Sequence, residues 1–315
     1  MRVLLAGPRG YCAGVSRAVE IVDRALEIFG PPIYVKHEII HNHHVVERLR
    51  SRGVVFIEDV TEAPSDAVLI FSAHGVPPSD RAAAVARGLT VIDATCPLVT
   101  KVHLEAIRYA QRGYFIVYIG HRGHPEPLGT LGEIDPQHGT LIEGADEVAG
   151  LVVPDPERVV ALTQTTLAVD DVREILDRLR ERFPSLEVPP KEDICYATTN
   201  RQSAVKALAE QSDLVLVIGS RASSNSNRLV EVARGAGSES RLVESPEDIT
   251  PSWLQGVQTV GISSGASTPE DLVEAAVSRL RQLGATEVED LIVLEEAVHF
   301  PLPVELETAA LSGRP

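Results

Sequence analysis

Residues 6–15 read AGPRGYCAGV. The short apolar run RVLL, at 2–5, enters this glycine-bearing turn, and the amphipathic run VSRAVEIVDRALEIF, at 15–29, leaves it. Strand, glycine turn and helix follow one another in this way where an α/β protein binds phosphate. Here, however, the glycines stand at 7, 10 and 14, giving G-x-x-G-x-x-x-G. That is neither the dinucleotide fingerprint G-x-G-x-x-G nor the phosphate loop G-x-x-x-x-G-K-[ST]. Cys12 occupies the middle of the turn, so the turn either cradles a phosphate or presents a thiolate.

The same alternation continues outward. Strand-like runs such as AVLIFSA (67–73), FIVYIG (115–120), VVALTQ (159–164) and LVLVIGS (214–220) are separated by helix-like runs. The latter include LVTKVHLEAIRYAQRG (98–113), VDDVREILDRLRERF (169–183) and PEDLVEAAVSRLRQLG (269–284), several closing on the glycine that stops a helix. Strands alternating with helices predict an α/β fold with mostly parallel sheets. A chain of 315 residues, 44% hydrophobic, predicts two or three such units. The balance of 29 basic and 45 acidic residues, net −16, disfavours a general nucleic-acid binder. No apolar stretch is long enough to span a bilayer, and MRVLLAGPRGYC has too short an apolar segment for a secretory signal, so a cytoplasmic location is expected. An odd count of three cysteines, at 12, 96 and 195, argues against a disulfide framework.

Those cysteines mark a repeat. Each stands just before a helix-like run. Polar loops then follow strands at matching offsets: His41 lies 29 residues after Cys12, His124 lies 28 after Cys96, and Ser223 lies 28 after Cys195. A second strand in each stretch ends in a further polar loop, holding His74, Thr165 and Ser267. The repeat divides the chain into units at 1–95, 96–193 and 194–290, with a C-terminal tail at 291–315 whose last residues are expected to be disordered. In open α/β sheets the loops beyond the strands' carboxyl ends build the site. Three units around a common centre would therefore pool three cysteines and six polar loops.

A thiolate at a helix N-terminus is stabilised by the helix dipole, and three of them suit a metal centre with one position open. Zinc with three protein ligands and an iron–sulfur cluster both meet that description. The separations of 84 and 99 residues, with no close cysteine pair, favour the cluster; on spacing alone both stay open. Ser223, Ser224 and Asn225 precede a helix, where hydroxyl and amide groups either cap it or bind an anion. Glu126, beside His124, is the one acid in these loops and is either a proton relay or a surface glutamate in a turn. His43, His44, His103, His121, His138 and His299 are expected to be solvated.

Taken in order, PRGYCAGV, HEIIHN, FSAHGV, DATCPLVTKVH, GHRGHPE, TQTTLAVDD, CYATTNRQ, SSNSNRL and GASTPE resemble the 4-hydroxy-3-methylbut-2-enyl diphosphate reductase family, from residue 1 to about residue 300. The resemblance implies a trefoil-like monomer of three α/β units around a central [4Fe-4S] cluster. Cys12, Cys96 and Cys195 would hold that cluster as metal ligands, with one iron site open to the substrate hydroxyl. His41, His74, Ser223, Ser224, Asn225 and Ser267 would grip the diphosphate, with His124 close by. Thr165 would bind the substrate hydroxyl, and Glu126 would supply protons. The implied reaction is a two-electron reductive dehydroxylation giving isopentenyl and dimethylallyl diphosphates, the last step of the methylerythritol phosphate route. No dinucleotide or flavin motif is evident, so the electrons would come from a partner protein of ferredoxin or flavodoxin type. The competing readings are a zinc-dependent hydrolase of a phosphorylated metabolite and a non-catalytic phosphometabolite-binding protein.

Overall fold

The computed structural model describes residues 1–306, in which twelve strands and nine α-helices alternate. The first part runs β1 (Arg2–Gly7), α1 (Ala13–Phe29), β2 (Ile33–Lys36), α2 (His43–Arg50), β3 (Val54–Ile57), β4 (Val68–Phe71), α3 (Pro78–Ala86) and β5 (Thr90–Asp93). The middle runs α4 (Pro97–Gln111), β6 (Phe115–Ile119), α5 (Pro125–Leu131), β7 (Gly139–Ile142), β8 (Val159–Thr163) and α6 (Val169–Arg182). The last part runs α7 (Tyr196–Ala209), β9 (Leu214–Ile218), α8 (Ser224–Gly235), β10 (Glu239–Val243), β11 (Thr259–Ser264), α9 (Glu270–Gln282) and β12 (Glu287–Ile292).

The strands form three sheets, of order β10-β9-β11-β1-β12, β3-β2-β4-β5 and β7-β6-β8. Every pairing among the described strands is parallel, as the alternation predicts. Two compact units result. One comprises Met1–Ala13, His41–Val45 and Tyr196–His299, and carries the five-stranded sheet. The other comprises Gly14–Ile40, Val46–Cys195 and the chain from Phe300, and carries the other two sheets.

Helices cover both faces of the central strands, which explains their unbroken apolar runs. In β9, Leu214, Leu216 and Ile218 pack with Val273, Ala276 and Leu280 of α9. The intervening Val215 and Val217 pack with Val205 and Leu208 of α7 and Leu229 of α8. In β6, Val117 and Ile119 join the cluster that holds Val172, Ile175 and Leu179 of α6, while Ile116 and Tyr118 join Val102 and Ala106 of α4. The period of two along each strand thus feeds two cores. Each fully buried Leu or Ile contributes about 1.5–3 kcal/mol.

Two boundaries differ from the repeat read in the sequence. The unit expected at 1–95 does not own its first strand: β1 pairs with β11 and β12 in the sheet of the C-terminal region. The tail expected from 291 begins later, because β12 runs to Ile292 and pairs with β1 along its length. β12 is an edge strand carrying Glu287, Glu289 and Asp290, and such charges hide a strand from an apolar-run reading while protecting its edge. The disorder expected for the last residues of the tail falls at 307–315, outside the described residues.

Candidate functional site

Because each sheet is parallel, the loops at its strands' carboxyl ends share one edge. Those loops carry the residues singled out above, which fall into two groups, one in each unit.

In the unit with the three- and four-stranded sheets, the centre is Glu126. It lies in α5, a short helix built from PEPLGTL, where the sequence predicts a polar loop. Pro125 suits the first helical position, and His124 is the N-cap, its Nδ1 accepting the Glu126 N–H at 3.2 Å. That bond leaves the ring proton of a neutral His124 on Nε2. Glu126 is only 3% exposed, which discards the surface-glutamate alternative. The Thr165 backbone N–H donates to Glu126 Oε2 at 2.9 Å, and the Thr165 hydroxyl lies 3.0 and 2.9 Å from Oε1 and Oε2. The carboxylate and the hydroxyl are thereby locked to each other. His74 meets His124 edge to face, ring centroids 5.6 Å apart. Beneath this group Tyr118 is buried. Burial, together with the Glu126 charge, pushes its phenol well above the usual range, so it stays protonated.

Gln164, which the sequence reading passed over, is fully buried beside Thr165. Its Oε1 accepts the His121 N–H at 2.9 Å and its Nε2 donates to Thr166 Oγ1 at 3.0 Å, joining the His124 loop to the Thr165 loop. Its place directly after the apolar strand β8, between Thr163 and Thr165, was its only signal. His103, expected to be solvated, is instead 3% exposed. Its Nδ1 pairs with Glu133 Oε1 at 2.9 Å, and burial lowers its pKa. Its ring lies so close to Gly75 and Gly129 that a Cβ at either would come within 2.9 and 3.0 Å of it. A buried His on an otherwise apolar helix face carries no sequence mark that separates it from a solvated one.

In the unit with the five-stranded sheet the groups are short and mostly neutral. Ser223 caps α8, its Oγ accepting the Ser226 N–H at 3.3 Å. Asn225 Oδ1 accepts the Ala266 N–H at 2.9 Å, which ties α8 to the loop of Ser267. Ser267 Oγ donates to the His41 carbonyl at 3.0 Å. Ser223, Asn225 and Ser267 are buried, and Ser224 is half-buried at the helix start. The Ser226 hydroxyl, fully buried, finds no hydrogen-bond partner among the described residues. It sits between Gly219 and Gly265, where an added Cβ would come within 2.3 and 2.1 Å of its oxygen. A helix N-terminus, small hydroxyl and amide groups, and glycines that admit close backbone approach are the chemistry of an anion cradle.

The three cysteines are not disulfide-bonded, and all are half-buried. Each precedes a helix, as expected: Cys12 before α1, Cys96 as N-cap of α4, Cys195 before α7. Each backbone N–H is anchored in a polar loop. Cys12 donates to Ala266 at 3.2 Å, Cys96 to Ala73 at 3.0 Å and Cys195 to Thr165 at 3.1 Å. These carbonyls belong to, or adjoin, Ser267, His74 and Thr165. Half-buried thiols on backbones fixed by the same kind of bond, Cys12 in one unit and Cys96 and Cys195 in the other, have the donor chemistry of iron–sulfur ligands. Among the described residues no group of three or more His, Cys, Asp or Glu forms a ready site for a single metal ion. Nor is any helix among them long and apolar enough to cross a membrane.

Three parallel sheets whose strand-end loops carry these thiols and hydroxyls define a known class. The family model described as LytB protein matches residues 3–281, and the chain belongs to that family. It is 57% identical over 98% of its length to the 4-hydroxy-3-methylbut-2-enyl diphosphate reductase of Mycobacterium ulcerans, covering 93% of that protein. It is 56% identical, with the same coverage of each chain, to the reductase of that name from Mycolicibacterium paratuberculosis. Among solved structures, the E-1-hydroxy-2-methyl-but-2-enyl-4-diphosphate reductase of Plasmodium falciparum superposes with a TM-score of 0.95 at 37% identity, with 99% of this chain and 98% of that one covered. The zinc-hydrolase alternative finds no support in these relatives.

Proposed function

We propose that the chain reduces (E)-4-hydroxy-3-methylbut-2-enyl diphosphate to isopentenyl and dimethylallyl diphosphates. Two electrons and two protons replace the C–OH bond with C–H and release water. The observation that carries the reading is the buried pair of Glu126 and Thr165, a carboxylate and a hydroxyl held 2.9–3.0 Å apart at strand-end loops. Its support is the identity of 52–57% to curated reductases of that name along nearly the whole chain.

Cys12, Cys96 and Cys195 are the residues that would hold a [4Fe-4S] cluster, which when bound supplies electrons and a Lewis-acidic iron. The chain's own residues do the rest. Thr165 orients the substrate hydroxyl, its own position set by Glu126. Glu126 delivers a proton to the departing oxygen, because hydroxide is a poor leaving group. His124 fixes the first turn of α5 through Nδ1 and leaves its Nε2 proton for an anionic substrate oxygen. Ser223, Ser224, Asn225 and Ser267, with His41 and His74, grip the diphosphate. Carbon–oxygen cleavage develops charge, and burial of Glu126 and Thr165 keeps water from competing for it. Electrons arrive from a ferredoxin- or flavodoxin-type partner.

Anaerobic purification tests the reading. Iron and inorganic sulfide with absorbance near ~400 nm, lost in air, are expected. So is consumption of the hydroxylated allylic diphosphate with a chemical reductant. A colourless protein that carries zinc alone and leaves this substrate untouched would overturn it.

A further inference from the structure

Each cysteine is followed, at nearly the same step of its helix, by a cation that the reaction does not use: Arg17 five residues after Cys12, Lys101 five after Cys96, and Arg201 six after Cys195. All three point their donors at main-chain oxygens just ahead of another cysteine. Arg17 Nη1 donates to the Thr95 carbonyl at 3.1 Å, one residue before Cys96, and its Nε to the Pro301 carbonyl at 2.7 Å. Lys101 Nζ donates to the carbonyls of Lys191 at 2.7 Å and Glu192 at 3.1 Å, and to Asp193 Oδ1 at 2.8 Å, just before Cys195. Arg201 Nη2 donates to the carbonyls of Gly10 at 2.8 Å and Arg9 at 3.5 Å, just before Cys12.

The order is cyclic. The helix after Cys12 holds the approach to Cys96, the helix after Cys96 holds the approach to Cys195, and the helix after Cys195 holds the approach to Cys12. Each bond lies within one compact unit. Supporting contacts reinforce the same links. Asp193 Oδ2 accepts the Thr163 N–H at 3.0 Å, fixing the Cys195 approach to the end of β8. The Tyr196 hydroxyl accepts the Ala13 N–H at 3.2 Å, joining the residue after Cys195 to the residue after Cys12. Arg201 is fully buried, with Glu296 as counter-ion at 3.1 Å and the Ala197 carbonyl at 3.1 Å. A buried guanidinium is costly, and a core position filled only for packing would take an apolar side chain. Arg17 faces Asp93, Cys96 and Glu305 as its anionic neighbours.

We propose that Arg17, Lys101 and Arg201 are positioning residues for the three cysteine ligands. Each fixes the backbone that carries the next thiolate and places a cationic group on the approach to that ligand. The proposal rests on the cluster reading given above. Partners of this kind orient ligands and tune the group they hold, and charge near a cluster sets its reduction potential.

The test uses the anaerobically prepared holoprotein and the variants Lys101→Met, Lys101→Arg, Arg17→Gln and Arg17→Lys. Three quantities are read: loss of cluster iron to a chelator, reduction potential, and the electron paramagnetic resonance of the reduced cluster. Lys101→Met and Arg17→Gln are expected to lose iron about 10-fold faster, to show a more negative potential and to shift the resonance. The charge-retaining variants should restore most of each change. Circular dichroism of the cluster-free proteins separates folding from ligand spacing. Should Lys101→Met fail to fold, Arg17→Gln, at a half-buried position, decides alone. An unaltered chain that takes up no iron and sulfide overturns the cluster reading and the proposal with it. A normal cluster with unchanged loss rate, potential and resonance in both neutral variants overturns the proposal alone.

Discussion

In the unit built on the five-stranded sheet, the candidate site residues are short and mostly neutral: Ser223, Ser224, Asn225 and Ser267, with His41. They are held by a helix cap and by hydrogen bonds at loop ends. In the other unit they are larger and titratable: His74, His124 and Glu126, with Thr165 locked against the carboxylate. The first arrangement donates hydrogen bonds without changing charge, which suits an anion that must be held and released. The second can store and move a proton. In the proposed reaction Asn225 and its neighbours hold the diphosphate, with His74 contributing from the other group, while Glu126 and Thr165 act at the reacting oxygen, so substitutions of Asn225 and of Glu126 should separate in their kinetics.

The largest expected effect lies in the proton-handling group. Glu126→Gln should lower kcat about 100-fold or more with KM little changed, while iron and sulfide content stay at the level of the unaltered chain. Equal turnover at equal cluster content would remove Glu126 from its role. In the anion-holding group, Asn225→Ala should raise KM about 10- to 100-fold, the worth of one hydrogen bond to a charged oxygen. A change confined to kcat would instead put Asn225 among the reacting groups and break the division.

A smaller effect is expected where that same group is most tightly packed. Gly265→Ala forces a Cβ to within 2.1 Å of Ser226 Oγ, and should cost about 1–3 kcal/mol in denaturant unfolding. Adding Ser226→Ala removes the oxygen and leaves a 3.3 Å contact with the Ser226 Cβ, so part of the loss should return. Independent, additive effects would show that the cradle is not as close as described.

The smallest effect concerns Glu105, on the helix after Cys96. Burial, and then the neighbouring Asp193, push its carboxyl up to about 7, against the partial relief given by Lys101. Because the folded value exceeds the unfolded one, the folded chain keeps a proton that the unfolded chain has already released. Stability from this group is therefore complete below about pH 4.5 and declines as pH rises to about 7. Glu105→Gln should remove that decline and stabilise the chain at pH 8 by about 1 kcal/mol once solvent screening is counted. Parallel unfolding curves against pH for the two proteins would contradict it.

Much of this was legible in the sequence, for identifiable reasons. Strands such as LVLVI and VVALT are apolar without interruption because helices cover both faces, and they were read directly. β12 was missed because an exposed, acidic edge strand has no apolar signature. α5 was missed because two prolines and a glycine in seven residues contradict helix propensity. There the His124 cap and burial of Glu126 override propensity. Spacing counts residues from one cysteine to the next loop, whereas hydrogen bonds tie Cys96 and Cys195 to the loop that precedes each of them, and Cys12 to the loop of Ser267. Contacts such as Lys101 to Asp193, 92 residues apart, follow only from the fold.

The most direct measurement is anaerobic turnover of the hydroxylated allylic diphosphate in deuterated water with a chemical reductant, followed by mass analysis of the product. Reductive dehydroxylation predicts diphosphates that have lost the hydroxyl oxygen and gained one deuterium on carbon. A product that keeps its oxygen, or the release of inorganic phosphate with no carbon-bound deuterium, would contradict it.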